Sequence, residues 1–131
     1  MYHIITMIDR KILHPAHIAI GVVLAGLGGA IFTGTLDKEG VALRAVRGTA
    51  IALAIIVATT QSYFLATSAD THARAVNVAH IAIVAPLLFA LGYLGHAAPR
   101  GVSGAVVMLG GAAAMYHAVR TAQYYGALAR V

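Results

Sequence analysis

The stretch that decides the fold runs from residue 46 to residue 66 and reads VRGTAIALAIIVATTQSYFLA. Within it only Arg47, near its start, carries a charge. An apolar run of about 20 residues has the length that a helix needs to cross the ~30 Å hydrocarbon core of a bilayer. A helix also satisfies every backbone hydrogen bond within one segment, which lipid cannot do. The stretch therefore predicts a transmembrane helix.

Three further runs of similar length and composition accompany this one. Their predicted bounds are 15–36, 77–95 and 102–126. The connections are short and polar, and they read DKEG at 37–40, SADT at 68–71 and APRG at 98–101. Short connections place consecutive helices antiparallel to each other. The expected fold is all-α: an integral membrane four-helix bundle with up-down-up-down topology, forming a single membrane domain over residues 1–131.

The composition excludes several classes of protein. Apolar residues make up 60% of the 131-residue chain and charged residues 10%, whereas soluble domains have about 45–50% and about 25%. The net charge of +5 arises from basic residues that flank the apolar runs, which is typical of loops anchored to lipid headgroups rather than of a nucleic-acid-binding module. The chain has no cysteine, so disulfides, zinc–thiolate sites and iron–sulfur clusters are excluded.

Two short sequences recur in the same order. AHIAI at 16–20 returns unchanged at 79–83, and TTQSY at 59–63 is echoed by TAQYY at 121–125. The two pairs have nearly the same offset, which favours a duplicated two-helix hairpin with halves 10–68 and 73–131. Such halves are related by a pseudo-two-fold axis along the membrane normal. Chance similarity in a chain rich in alanine and isoleucine is the alternative.

The segment before the first run leaves two alternatives open. Within residues 2–13, the isoleucines at 4, 5, 8 and 12 fall on one helical face, which is typical of an amphipathic helix at the membrane interface. An extended tail fits the same residues equally well. Pro15 is expected in the first turn of the first spanning helix, where its missing N–H costs nothing. Pro86 lies inside the third run and is expected to kink it.

The distribution of charge predicts the orientation in the membrane. With four spans, both termini lie on one face of the membrane, which we call side A; the opposite face is side B. The basic residues expected on side A are Arg10, Lys11, Arg74, Arg120 and Arg130, and those on side B are Lys38, Arg44, Arg47 and Arg100. The small excess favours a cytoplasmic or equivalent side A. We expect Arg44 and Arg47 to hold headgroup phosphates.

Small residues recur every four positions along three of the runs. The predicted stripes are Gly21, Ala25 and Gly29; Ala50, Ala54, Ala58, Ser62 and Ala66; and Gly110, Ala114, Ala118, Ala122 and Gly126. Small side chains let helix backbones approach closely in lipid, where hydrophobicity gives no drive to associate. The stripes predict close helix–helix contacts, either within the chain or between chains.

The histidines are the residues most able to bind a cofactor. His17, His80 and His117 are predicted inside the membrane toward side A, with His17 and His80 at equivalent positions of the repeat. Polar side chains are costly within a bilayer, so they indicate a functional site. Two imidazoles on facing helices can provide both axial ligands of a b-type haem. The alternatives are histidines that bond helix carbonyls or headgroups, a metal site, or a proton relay.

Three classes of function remain. The predicted spans hold no acidic residue and no catalytic motif, so a role without catalysis is favoured. The leading hypothesis is a structural or accessory subunit of a larger membrane assembly, which binds other subunits or further copies of itself through its Gly/Ala seams. The second is an electron-transfer subunit with haem b between His17 and His80. The third is a small transporter or channel, for which an acidic residue within a span is lacking.

Overall fold

A computed structural model of the protein describes the backbone of residues 2–128 and the side chains of residues 15–126. Its α-helices are α1 (Tyr2–Phe32), α2 (Val41–Thr67), α3 (Thr71–Ala79), α4 (Ala85–Leu94) and α5 (Arg100–Leu128). A π-helical segment, His80–Val84, joins α3 to α4, and a 3₁₀ turn, Gly95–Ala97, follows α4. All regular structure within the described backbone is helical, so the all-α prediction is confirmed.

Four stretches of helix are long and apolar enough to span a membrane. They are Pro15–Phe32, Val41–Thr67, Thr71–Ala97 and Arg100–Gly126. The predicted four-span bundle is confirmed, although the third span begins at Thr71 rather than at residue 77. The extra turns form because Asp70 caps α3: its carboxylate accepts a hydrogen bond from the His72 backbone N–H at 2.8 Å. An N-cap of this kind satisfies a donor that the helix itself leaves unpaired.

Helix α1 differs from the prediction at its N-terminal end. It begins at Tyr2 and continues through Pro15 without a break, so the extended-tail alternative is wrong for residues 2–13. The placement of Pro15 in a first helical turn is also wrong, because that turn lies 13 residues earlier in the same helix. The start of the apolar run marked the start of the membrane span, not the start of the helix. A proline inside a membrane helix is tolerated where neighbouring groups satisfy the freed carbonyl.

The third span accommodates Pro86 through a wider helical turn. The backbone N–H of Ala85 donates to the carbonyl of His80, five residues earlier. Proline has no N–H and clashes with the carbonyl four residues before it. A π-helical segment, His80–Val84, directly precedes Pro86, a type of irregularity that is common at functional sites, and the kink expected at Pro86 stays a prediction.

The helices pack mainly in two pairs. Helix α1 lies along α5, and α2 lies along the third span. The first pair is very close, because a β-carbon on Gly110 would lie 2.6 Å from both the Ala25 nitrogen and the Gly21 carbonyl oxygen. In the second pair, a β-carbon on Gly92 would lie 2.7 Å from the Arg47 carbonyl oxygen. Part of the predicted small-residue stripes thus mediates contacts within the chain.

The core lies in the middle of the bundle and toward side B. Its large buried side chains are Leu24, Ile31, Leu43, Leu88, Leu91 and Val106. Toward side A the described side chains are more exposed, and Asn77 is buried among them. The bundle is therefore closed at side B and looser at side A.

On side B, the guanidinium of Arg47 binds the C-terminal end of α4. Its Nε donates to the carbonyl of Gly92 at 2.8 Å, and its Nη2 donates to the carbonyl of Tyr93 at 2.7 Å. These carbonyls belong to the last turn of α4, which leaves its final C=O groups without partners in the helix. The guanidinium of Arg47 thus caps the third span, a role that the sequence did not predict; its contact with a headgroup phosphate stays a prediction.

His96 ties the first connection to the end of the third span. Its Nε2 lies 2.8 Å from the carbonyl oxygen of Leu36, a donor–acceptor pair when that nitrogen carries the proton. We expect His96→Ala to raise the amide hydrogen-exchange rate of residues 36–40, because the connection loses its bond to the bundle. His96→Gln, whose amide can donate to the same carbonyl, serves as the control and is expected to restore much of the protection. Equal exchange rates in the alanine variant and the wild type would contradict this role.

Candidate functional site

Two of the three predicted site histidines meet between α1 and α5. The imidazole rings of His17 and His117 have centroids 4.5 Å apart and planes tilted by 33°. The contact follows from the glycine seam: Gly21 lies one turn after His17, and a β-carbon there would approach Ala114 N at 2.8 Å. Because the two backbones are this close, the antiparallel register places His17 opposite His117.

The ring of Tyr116 contacts both His117 and the positively charged side chain of Arg120. Tyr116 packs edge-on against His117, with ring centroids 5.1 Å apart. The Arg120 guanidinium lies over the Tyr116 ring, its Cζ 5.5 Å from the centroid, and its Nε donates to the tyrosine hydroxyl at 3.3 Å. Its Nη1 donates to Gln123 Oε1 at 3.4 Å. Arg120 is therefore held on the Tyr116 face of α5.

His80 lies in the other helix pair. It begins the π-helical segment, and its Nδ1 lies 2.8 Å from the carbonyl oxygen of Val76. When Nδ1 carries the proton and donates to this carbonyl, Nε2 presents the lone pair that binds a metal. The contacts described for His80 are with its own helix, whereas the contact described for His17 is with His117.

The spacing of the pair decides what it can hold. Two axial imidazoles of one haem lie on opposite faces of the porphyrin, with centroids roughly 6 Å apart for metal–nitrogen bonds of about 2 Å. The 4.5 Å between His17 and His117 leaves no space for a porphyrin between the rings. In this arrangement the pair suits a small ion or a shared proton.

A shallow apolar groove opens beside the π-helical segment. It has a volume of about 340 Å³ and lies between α2 and the third span. Its lining residues are Ala54, Ile55, Ala58, Ile81, Ala85, Pro86 and Phe89. Ile81 directly follows His80 in the chain, so the groove passes close to the backbone of that histidine. Its lining is apolar, as expected of a surface that faces lipid tails.

Sequence patterns singled out three histidines but did not predict which of their rings are in contact. The repeat pointed to His17 with His80, since both open a predicted odd-numbered helix. The pairing of His17 with His117 depends on the register between α1 and α5, which lie far apart in the chain. The available signal was the pair Gly21 and Gly110, because small residues mark where two backbones come together.

The chain was compared with known protein families, characterised proteins and solved structures. None of these comparisons finds a match. The function is therefore inferred from the helices and side chains themselves.

Proposed function

We propose that this small multi-pass membrane protein is a structural or accessory subunit of a larger membrane assembly, and that its partner docks on the outer face of α2. The observation that carries the proposal is a stripe of mostly small, exposed residues with alternating three- and four-residue spacing. The residues of this outer α2 stripe are Ala45, Gly48, Ala52, Ile55, Thr59, Ser62 and Ala66. Such spacing presents one continuous face to a neighbouring helix.

The internal packing of α2 does not account for this stripe. The bundle buries a different face of α2, which includes Leu43, Ala50 and Ala54. A β-carbon on Gly48 would meet no atom within 4 Å, yet glycine costs a helix about 1 kcal/mol relative to alanine. A glycine at an exposed helix position is explained where the backbone of another helix must come close. Such close approach at small residues is a common way for helices to associate in lipid.

The outer α2 stripe can be tested with one bulky substitution and a matched control. Ala52→Leu places a large side chain in the stripe, and we expect association with the partner to weaken at least tenfold. Ala112→Leu makes the same change at a similar depth on the exposed face of α5 and is expected to leave association unchanged. The measurement is the mass of the particle that each variant forms in nanodiscs, with its components identified by mass spectrometry. An Ala52→Leu particle with the wild-type mass and components would count against the docking face.

The haem-binding role is a second candidate, favoured by the hydrogen bond that directs His80 Nε2 away from its own helix. It predicts a Soret band in the protein purified from haem-supplied cells, with α and β bands that sharpen on reduction. The band is expected to disappear in His80→Ala and to persist in His117→Ala. A flat spectrum would remove this candidate. The third alternative, a small transporter or channel, stays a prediction, because no contact described above favours it.

A further inference from the structure

We propose that Arg120, Tyr116 and Gln123 form a binding site for the phosphate of an anionic phospholipid on the outer face of α5. The three side chains are in mutual contact through Arg120. They lie four and three residues apart along the helix, so they share one face of it. The site is on a different helix from the docking face proposed on α2, so either proposal can fail without the other.

The charge of Arg120 is not balanced by the contacts described for it. Its guanidinium donates to the hydroxyl of Tyr116 at 3.3 Å and to Oε1 of Gln123 at 3.4 Å, and both acceptors are uncharged. The fourth span, Arg100–Gly126, contains no acidic residue. A cation within a span is costly unless it pairs with an anion or reaches the interface. This position therefore favours an anionic group supplied by the bilayer.

The depth of Arg120 in the span brings a headgroup phosphate within reach. Arg120 lies six residues before Gly126, the last residue of the fourth span, which is about 9 Å along a helix. A long arginine side chain can extend from this depth to the level of the headgroups. The hydrogen bond to Gln123, which is three residues nearer the side A end, draws the guanidinium in that direction.

The three side chains together present several donors to one phosphate. A guanidinium has five N–H groups, and the bonds to Tyr116 and Gln123 use one on Nε and one on Nη1. Among the described residues, this leaves Nη2 for a charge-assisted bond to a phosphate oxygen. The Tyr116 hydroxyl and the Gln123 amide accept from Arg120 through oxygen and keep hydrogens of their own to donate. The Tyr116 ring, 5.5 Å from Arg120 Cζ, limits the positions that the guanidinium adopts.

Exposed apolar side chains deeper in the span favour a lipid over a soluble anion. Met108, Met115 and Val119 are exposed by 75%, 72% and 56%. They lie along the outer side of α5 from Arg120 toward the middle of the membrane, where acyl chains are found. One phospholipid can therefore contact Arg120 with its phosphate and these residues with its acyl chains. A zwitterionic headgroup would bring an ammonium near the guanidinium, and like charges at short distance repel.

The probe is dioleoyl phosphatidylglycerol added to the purified full-length protein in detergent micelles, with dioleoyl phosphatidylcholine as the reference lipid. Native mass spectrometry measures the number of bound lipids and their dissociation constants. We expect one site that binds phosphatidylglycerol at least tenfold more tightly than phosphatidylcholine. Glycerol 1-phosphate has the phosphate without the acyl chains, and we expect it to compete only at concentrations at least tenfold above those of the lipid.

Substitutions in α5 test which side chains hold the phosphate. Arg120→Met is expected to weaken phosphatidylglycerol binding at least tenfold and to abolish the preference for this lipid. Arg120→Lys keeps the charge without the planar fork and is expected to bind with intermediate affinity. Tyr116→Phe removes the hydroxyl that positions Arg120 and is expected to weaken binding severalfold. Arg74→Met removes the same charge at an exposed position of α3, and this matched control should bind as the wild type does.

Loss of binding must be separated from loss of fold. Arg120 and Tyr116 are both exposed, so each variant is expected to keep the helix content and elution volume of the wild type. Wild-type affinity in Arg120→Met would overturn the proposal, as would an equal loss in Arg74→Met or equal affinities for the two lipids. Competition by glycerol 1-phosphate at the concentration of the lipid would also overturn it, since the occupant would then be a soluble phosphate ester.

Discussion

Gly110→Ala is expected to separate α1 from α5. The new β-carbon would lie 2.6 Å from the Ala25 nitrogen and from the Gly21 carbonyl oxygen. Both are backbone atoms that cannot move without shifting the whole helix. Overpacking of this kind costs about 1–3 kcal/mol, and we expect the upper end of that range. The measurement is the free energy of unfolding in mixed micelles of mild detergent and sodium dodecyl sulfate.

Gly111→Ala is the matched control, and it is expected to raise the free energy of unfolding rather than lower it. A β-carbon on Gly111 would meet nothing within 4 Å, so Gly111→Ala gains helix propensity, worth about 0.5–1 kcal/mol, without a clash. The pair Gly28 and Gly29 repeats the contrast, since a β-carbon on Gly28 would lie 2.9 Å from the Ser103 carbonyl oxygen and one on Gly29 is unobstructed. Equal effects at both members of either pair would contradict the close packing of α1 on α5.

Arg47→Met is expected to open side B. The substitution keeps much of the aliphatic length but removes the two hydrogen bonds to the carbonyls of Gly92 and Tyr93. Hydrogen bonds to charged groups contribute about 1.5–3 kcal/mol each. Because the second of them is exposed to solvent, we expect a total loss near 2–3 kcal/mol in the free energy of unfolding.

Arg44→Met is the control for Arg47→Met. Among the described residues, the side chain of Arg44 donates to the nearby carbonyl of Glu39, at 2.9 Å and in an exposed position, so its loss should change stability by less than about 0.5 kcal/mol. Gly95→Ala probes the same cap from the other side, since Gly95 has a φ of +55° and a β-carbon there would lie 2.9 Å from Arg47 Cδ. If Arg44→Met destabilised the protein as much as Arg47→Met, the cap would have no special role.

The fold was predictable because lipid imposes a simple rule on the chain. Each apolar run of about 20 residues must be helical in a bilayer, whatever its neighbours are. The helix ends were less predictable, because polar residues at an end can continue a helix when a cap such as Asp70 satisfies its first turn. For the same reason the start of the apolar run at Pro15 did not reveal that α1 begins at Tyr2.

The site was only partly predictable, because helix register is not encoded locally. The depth of His17, His80 and His117 follows from counting residues along each span, and all three were identified as candidate ligands. Which rings touch depends on how α1 and α5 slide and rotate against each other. The role of Arg47 was missed for a related reason: a basic residue at a membrane interface has the same sequence signature whether it binds a phosphate or a helix end.

The most direct test of the account is the mass of the particle that contains the wild-type protein when it is extracted from its own membrane into nanodiscs. A subunit that docks through the outer α2 stripe predicts a particle with more than one chain, either further copies of this protein or other membrane proteins. A particle that holds a single 131-residue chain, at every detergent and lipid ratio tried, would contradict the central claim.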